Sequence, residues 1–571
     1  MRDRTVLAVA GGAVLLLLVV AFALPLGGLF AKSLQDPAGR FVGFANFARV
    51  AATPALLNSA RNSLALACLV ALIVVPLAFA YAYAVTRTAM RLRAVFAALA
   101  FLPLFTPSLL PAISFIYLFG NQGLLKPLLL GTPVYGPTGI VLAEIFHVFP
   151  HAFVILATVL RLADQRLYEA AEAMGTSAWR TFRVVTLPVA RYGLASAVFV
   201  TLTLVITDFG IPKVIGGSFP VLATQVYKQA VGQQNLGLGS VVAIVLLVPA
   251  VLAFAADRLV RRGQAGVLSS SAIPFVPRRR AGVDRCAFVA CASVAAFLVG
   301  VVCVSIWASL VTYWPYDLSV SLRHYALADV DVAGWAPLWN SVRLAAMASL
   351  AGTVLIFAGA YVVEKAQGPA GLGGCIQFLA MLPLAVPGLV LGLAYAVFIN
   401  SGPAVLSPLA GTITLMALSC VAHFYTVPHV TALAALKQLD PEFERVAQSL
   451  STPVLGLLAR VTIPLCLPAI LDMALYLFVN ALTTVSAVVF LYGPGTKLAT
   501  IAIVQLDEAG ETAAAAALAT VLFAVALGAK LVQVGLARWL WGPAQRWRAP
   551  HLAQTQEPEA LRPRPELPAR L

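Results

Sequence analysis

The residues best placed to do chemistry fall into three groups. The first is Asp164 … Glu169-Ala170-Ala171-Glu172-Ala173-Met174-Gly175, ending at Leu187-Pro188. Glu169 and Glu172 are three apart, so on a helix they share a face. Ala170, Ala171 and Ala173 keep that helix slim enough to enter a groove in a partner. Gly175 permits the backbone turn that ends it, and Leu187-Pro188 suits the entry to a following helix. The stretch recurs as Asp440 … Arg445-Val446-Ala447-Gln448-Ser449-Leu450-Ser451, ending at Ile463-Pro464. The offset is constant: 440 − 164 = 276 and 464 − 188 = 276. The chemistry on offer is docking and charge pairing, not catalysis. In the second copy Arg445 stands where Glu169 does, Gln448 replaces Glu172 and Ser451 replaces Gly175, while Glu442 and Glu444 lie just upstream as substitutes. The two loops are therefore unlike. The alternative for either is an ordinary amphipathic connector.

The second group is Glu144 and His147, inside an apolar run, with Pro150 and His151 beyond. His423 repeats His147 at the same offset of 276. Either the Glu and His pair to fix helix packing, or they meet a solute or form a gate. The third group is Asp208 and Lys213, separated by Phe209-Gly210-Ile211-Pro212. It reads as a mouth loop or a short break beside a pathway, or as a plain interfacial turn. Metal chemistry is not expected: the seven Cys fall in or beside apolar runs, and none has metal-ligand spacing. No phosphate loop is present either. Gly493-Pro494-Gly495-Thr496-Lys497 lacks the required order and reads as a turn between helices.

The elements that must position these groups follow from composition. The chain has 571 residues, 61% hydrophobic and 11% charged, with a mean hydropathy of +0.92. Soluble chains carry about 25% charged residues, so the solvent here is largely lipid. The net charge of +15 sits in short gaps between apolar runs. That pattern fits cytoplasmic loops near anionic headgroups, and it lacks the interleaved aromatics of a nucleic-acid surface.

Twelve runs are long enough to span a bilayer: about 6–30, 63–85, 94–119, 138–160, 193–212, 239–256, 286–310, 342–363, 373–399, 410–435, 468–490 and 513–536. They do not alternate as barrel strands do, so the fold class is an all-α polytopic membrane protein. The first run is too long for a cleavable signal core and reads as an uncleaved span. Arg87, Arg91 and Arg93 lie in one gap, Arg161, Arg166, Arg180, Arg183 and Arg191 in another, and Arg258, Arg261, Arg262, Arg278 to Arg280 and Arg285 in a third. With the N-terminus inside, all three gaps face the cytoplasm.

The repeat extends beyond the loops. Leu102-Pro103-Leu104-Phe105-Thr106-Pro107 matches Leu382-Pro383-Leu384-Ala385-Val386-Pro387, Asn62-Ser63 matches Asn340-Ser341, and Leu222-Ala223-Thr224 matches Leu498-Ala499-Thr500. Six spans per half give two copies of the same orientation, with the pathway between them. Pro103, Pro107, Pro383 and Pro387 disrupt helix hydrogen bonds, and such backbone survives only buried in protein or beside a wet cavity. The expected layout is a first half over 1–256, a cytoplasmic linker over 257–285, a second half over 286–541 and a disordered cytoplasmic tail over 542–571.

The duplicated acidic, small-residue loop resembles the Glu-Ala-Ala loop of binding-protein-dependent ATP-binding-cassette permeases. The resemblance covers nearly the whole chain and looks like the fused permeases of the ferric-iron and thiamine group. Two finer stretches, Asp208 to Lys213 running on to Asn235, and Leu498 to Thr512, look most like permeases for 2-aminoethylphosphonate; ferric iron is the alternative substrate, then thiamine or polyamines. The resemblance implies a bacterial inner-membrane permease that is not itself an enzyme and binds no cofactor. Two cytoplasmic ATPase subunits would carry ATP and magnesium, and a periplasmic solute-binding protein would deliver the substrate. Asp164, Glu169, Ala170, Ala171, Glu172, Gly175, Leu187, Pro188, Asp440, Glu444, Arg445, Ala447, Ser451 and Pro464 would then couple to the ATPases. Pro103, Pro107, Glu144, His147, Asp208, Lys213, Pro383, Pro387 and His423 would line the pathway. The competing class is an ion-gradient-driven secondary transporter, which predicts intramembrane acid or base relays and no docking loop.

Overall fold

A computed structural model describes residues 2–36, 38–264, 273, 275–365, 371–401 and 404–544. The described chain is helical but for one antiparallel ribbon, Val311–Tyr313 with Asp317–Val320. Among the described residues nine continuous helices are long and apolar enough to cross a membrane, and three bent pairs raise the number to twelve. The nine are Thr5–Ser33, Pro54–Arg87, Pro137–Arg161, Ala178–Thr207, Leu236–Val260, Ala281–Leu310, Ala336–Lys365, Val454–Thr483 and Thr512–Leu540. The bent pairs fill the third, ninth and tenth places.

Proline sets the breaks. The third span turns by 98° between Arg93–Phe105 and Leu109–Phe119, and the ninth by 111° between Leu372–Ala385 and Gly388–Ser401. Thr106 and Val386, the residues before Pro107 and Pro387, are extended at φ −94°, ψ 140° and φ −104°, ψ 116°. A residue before proline is pushed out of the helical region by the ring. The tenth span bends by 57° between Ile413–His423 and Thr426–Lys437. The sequence pattern had not suggested that bend. Pro428 supplies it, because it has no N–H to give the Phe424 carbonyl.

Two expected boundaries need correction. The fifth and eleventh spans, placed at 193–212 and 468–490, run Ala178–Thr207 and Val454–Thr483. Pro188 and Pro464 do not start these helices. Each sits just after a π turn, Phe182–Thr186 or Leu458–Thr462, where Leu187 N–H bonds Phe182 O and Ile463 N–H bonds Leu458 O. The wider turn carries the helix past a proline that cannot bond four residues back. Both turns lie at the offset of 276, since 458 − 182 = 276.

The linker is also shorter than expected. Helices Leu236–Gln264 and Ala281–Leu310 take up both of its ends. Ser269 to Ser271, Pro274 and residues 545–571 of the expected tail lie outside the described residues.

Small residues let helices approach closely. A Cβ on Gly193 would stand 2.8 Å from Val159 Cγ2, so the fourth and fifth spans touch there. The two halves exchange their first spans. Thr5–Ser33 packs on the second half, where Tyr395 Oη donates to Ala21 O at 2.5 Å. Ala281–Leu310 packs on the first half, where Ser114 Oγ donates to Val301 O at 2.8 Å and the Phe96 and Phe288 rings lie 5.4 Å apart. It also lies along the twelfth span. The repeated motifs prove to be contact partners: Ser63 Oγ accepts from Leu222 N at 2.9 Å, and Ser341 Oγ from Ala499 N at 2.8 Å.

Candidate functional site

The two acidic loops form matching helices, Gln165–Ala173 and Glu442–Ser449. Asp164 Oδ1 accepts from Arg166 N at 3.0 Å, and Asp440 Oδ1 from Glu442 N at 2.9 Å. Asp164 is the cap of its helix, contributing about 1 kcal/mol, and Asp440 makes the same bond from the residue before Pro441. One alanine in each helix faces inward, Ala171 and Ala447, both buried, while Glu169, Ala170, Ala173 and Arg445 are exposed.

Both helices end in the same turn. Thr176 N bonds Ala171 O at 3.1 Å, and Thr452 N bonds Ala447 O at 2.9 Å. The turn residue is left-handed in both: Gly175 at φ 66° and Ser451 at φ 53°. The second loop thus keeps the conformation without the glycine. A Cβ at Gly175 would meet nothing within 4 Å, so the constraint there is backbone strain and not a clash.

The outward surface also carries large apolar side chains. Leu167, Met174 and Trp179 are exposed on the first loop, and Phe443, Leu450 and Leu455 on the second. They correspond pairwise at 276, as 455 − 179 = 276 shows. Sequence reasoning passed over them, though apolar residues recurring at a fixed offset in polar loops were a readable signal.

The glutamates are partly engaged within the chain. Gln165 Nε2 donates to Glu169 Oε1 at 2.7 Å, and Arg278 Nη1 donates to both Glu172 oxygens at 2.8 and 2.7 Å. In the second loop Lys365 Nζ lies 2.6 Å from Glu444 Oε1. Glu444 matches Tyr168 (444 − 168 = 276), and Lys365 matches Arg87 at the offset of the Asn-Ser motif (365 − 87 = 340 − 62 = 278). In the first half that joint is a cation over a ring, with Arg87 Cζ 4.7 Å from the Tyr168 centroid. Each half thus ties the end of its second span to its acidic helix, by different chemistry.

The candidate pathway residues gather at the opposite end of the fifth span, about 31 Å of helix away. Pro103 and Pro107 form the third-span break, and Ser108 beside it packs against Gly210. The second half mirrors this contact with the roles exchanged: a Cβ on Gly388, just after Pro383 and Pro387, would stand 2.6 Å from Ser486 Oγ and 3.0 Å from His423 Nε2. Asp208 Oδ2 accepts from Ile211 N at 2.9 Å and caps the short helix Gly210–Ile215. Glu144 is fully buried and faces Asp208, but neither of its oxygens meets hydrogen-bond geometry. The expected Glu144–His147 pair is not formed: His147 Nδ1 is also buried without a partner, and its ring lies 6.4 Å from that of His151.

Lys213 forms an ion pair with Glu508 of the second half and lies 5.1 Å from the Tyr227 centroid. The Tyr227 ring in turn lies 6.1 Å from Phe490 of the second half. Burial chiefly, with Glu508 next, pushes Asp507 up to about 6, against the pull of Lys213. The Gly493 to Lys497 stretch is a pinned turn: Thr496 Oγ1 donates to Gly411 O at 2.6 Å, and Lys497 Nζ pairs with Asp331 at 2.5 Å. Among the described residues no group of three or more His, Cys, Asp or Glu could hold a metal ion.

Comparison with known proteins gives the family. Residues 75–265, which contain the first acidic loop, match the model of the binding-protein-dependent transport system inner membrane component. The ferric transport system permease protein FbpB of Actinobacillus pleuropneumoniae is 27% identical over 479 residues, 81% of this chain and 69% of that protein. The ferric transport system permease-like protein AfuB of Escherichia coli K12 is 36% identical over 112 residues, 20% of this chain and 90% of that protein. The inner membrane ABC transporter permease protein YcjO of the same organism is 29% identical over 222 residues, 36% of this chain and 75% of that protein. With two helical loops of matching geometry on a multi-pass helical frame, this chain belongs to the binding-protein-dependent transport family and is an inner-membrane permease of an ATP-binding-cassette importer.

Proposed function

We propose that this permease moves ferric iron, delivered by a periplasmic binding protein, across the bacterial inner membrane. The observation that carries the reading is the match to ferric permeases along four-fifths of the chain, through both halves. The 2-aminoethylphosphonate reading rests only on the short stretches after Asp208 and Leu498, and the relatives favour the ferric alternative. Titration of the cognate binding protein tests the choice. Tight binding of ferric iron and none of 2-aminoethylphosphonate is expected; the reverse would overturn the substrate.

In this reading each loop docks one of two ATPase subunits, which hold ATP and magnesium. Leu167, Met174 and Trp179, and in the second loop Phe443, Leu450 and Leu455, supply the contact; Glu169 and Arg445 tune its charge. The Arg-rich gaps support a cytoplasmic first loop, and the shared orientation of the two halves puts the second on the same side. Substrate passes between the halves beside the proline breaks, and the Lys213–Glu508 pair closes the outer side until the halves part. ATP drives the change by favouring one arrangement over the other through differential binding.

A further inference from the structure

The segment joining the halves is not a passive tether. Ile273 and residues 275–280 lie extended along the first acidic helix. Gln165 N donates to Ile273 O at 2.9 Å, and Val276 N donates to Gln165 Oε1 at 2.8 Å. Phe275 packs on Tyr168, ring centroids 4.9 Å apart, and Arg278 grips Glu172 through both oxygens. Arg87 lies against both rings, its Cζ 4.4 Å from the Phe275 centroid and 4.7 Å from that of Tyr168. Arg87 is buried, and Nη2 donates to Leu160 O at 2.5 Å. At its far end the segment enters the seventh span. Asp284, in the first turn of Ala281–Leu310, accepts from Arg280 N at 3.1 Å and from Ala89 N at 2.9 Å.

The second half shows what this segment adds. There, among the described residues, the equivalent joint is closed by the Lys365–Glu444 ion pair. In the first half Tyr168 replaces the carboxylate, and a ring in place of an anion leaves the cation weakly held. Phe275 supplies a second ring for Arg87, and Arg278 supplies a charge for Glu172. The first joint is thus completed by residues from between the halves.

The consequence is mechanical. The seventh span packs against the first half and along the twelfth span of the second. A push on the first acidic helix therefore reaches both halves, whereas a push on the second has no such strap among the described residues.

We propose that Ile273 and residues 275–280 form a lash that holds the first coupling helix to the seventh span throughout the transport cycle, so that the ATPase docked there drives both halves. The proposal rests on the docking of an ATPase at the first loop. Phe275, Arg278 and Arg87 are positioning residues, acting through the helix and not on the substrate.

The test uses the whole transporter, permease with its ATPase and binding protein, in vesicles. Gln165→Cys with Ile273→Cys, in a background without the seven native Cys, is closed by oxidation or a short thiol cross-linker. The lash predicts ready cross-linking and uptake equal to that of the reduced form. Uptake lost on cross-linking and restored by reductant would show that the segment must leave, as an autoinhibitory strap would, and would overturn the proposal; so would failure to cross-link. In F275A/R278A, uptake per ATP hydrolysed is expected to fall, within the roughly 5- to 30-fold range that a joint weakened by one stacked ring and one exposed ion pair allows. The ATPase still co-purifies. The exchange Glu172→Arg with Arg278→Glu restores coupling that Glu172→Arg alone loses. Unchanged coupling in F275A/R278A would sink the lash. Loss of co-purification on Trp179→Ala tests docking separately, so the two failures are distinguishable.

Discussion

Replacing Gly175 by valine isolates what the turn after the first acidic helix contributes. Gly175 is left-handed at φ 66°, and a Cβ there would meet nothing within 4 Å. The cost is therefore conformational: about 1–2 kcal/mol for an L-residue in this region, more for a β-branched one. A change of that size lowers the ratio of formed to unformed turn roughly 5- to 30-fold, and uptake should fall while the inserted amount stays constant. Gly175→Asn, which tolerates the left-handed region, should stay within about twofold of wild type by the same estimate. The second loop gives the converse. Ser451 already holds φ 53°, so Ser451→Gly relieves up to about 1 kcal/mol and leaves uptake equal or higher. The assay is ATP-driven uptake per inserted permease in vesicles with all partners present. If Asn is as damaging as Val, the loss comes from contact with the partner and the backbone argument is wrong. Wild-type uptake in Gly175→Val would refute it outright.

Other outcomes follow from the same geometry. Glu169→Lys should abolish uptake with insertion intact, and Arg445→Glu should cost less; equal sensitivity of the two loops would contradict the asymmetry. Glu444→Gln leaves Lys365, only 11% exposed in its side chain, without its anion, and should cost about 1–3 kcal/mol in thermal unfolding of the solubilised protein; Tyr168→Glu in the first half should be tolerated, since it copies the second joint. Lys213→Ala and Glu508→Ala should each alter uptake, and the exchange Lys213→Glu with Glu508→Lys should recover it; no effect in any of the three would remove the pair from the pathway. Ser177→Cys, exposed in the first loop, should react with an impermeant thiol reagent only from the cytoplasmic side; labelling in intact cells would reverse the topology.

The sequence made the repeat legible because it constrains the chain at fixed intervals. The Leu-Pro motifs located the third- and ninth-span breaks, and the Asp residues at 164 and 440 located both acidic helices. The bend at Pro428 was missed because its first-half counterpart is not a proline. The starts of the fifth and eleventh spans were misplaced because a π turn hides a proline inside a continuous helix. Pairing with His147 was one of two readings of the Glu144 spacing, yet Glu144 faces Asp208 beyond the end of another span; spacing along one helix says nothing about a neighbour. The role of the linker was invisible for the same reason, since Arg278 and Glu172 meet across 106 residues. Exchange of the first spans between halves likewise leaves no local mark.

The most direct test of the whole account is uptake of labelled ferric iron into vesicles holding this permease, its ATPase and its iron-loaded binding protein. The account predicts accumulation that requires ATP and all three components, and that Glu169→Lys abolishes. Accumulation driven by an ion gradient without the ATPase would contradict it.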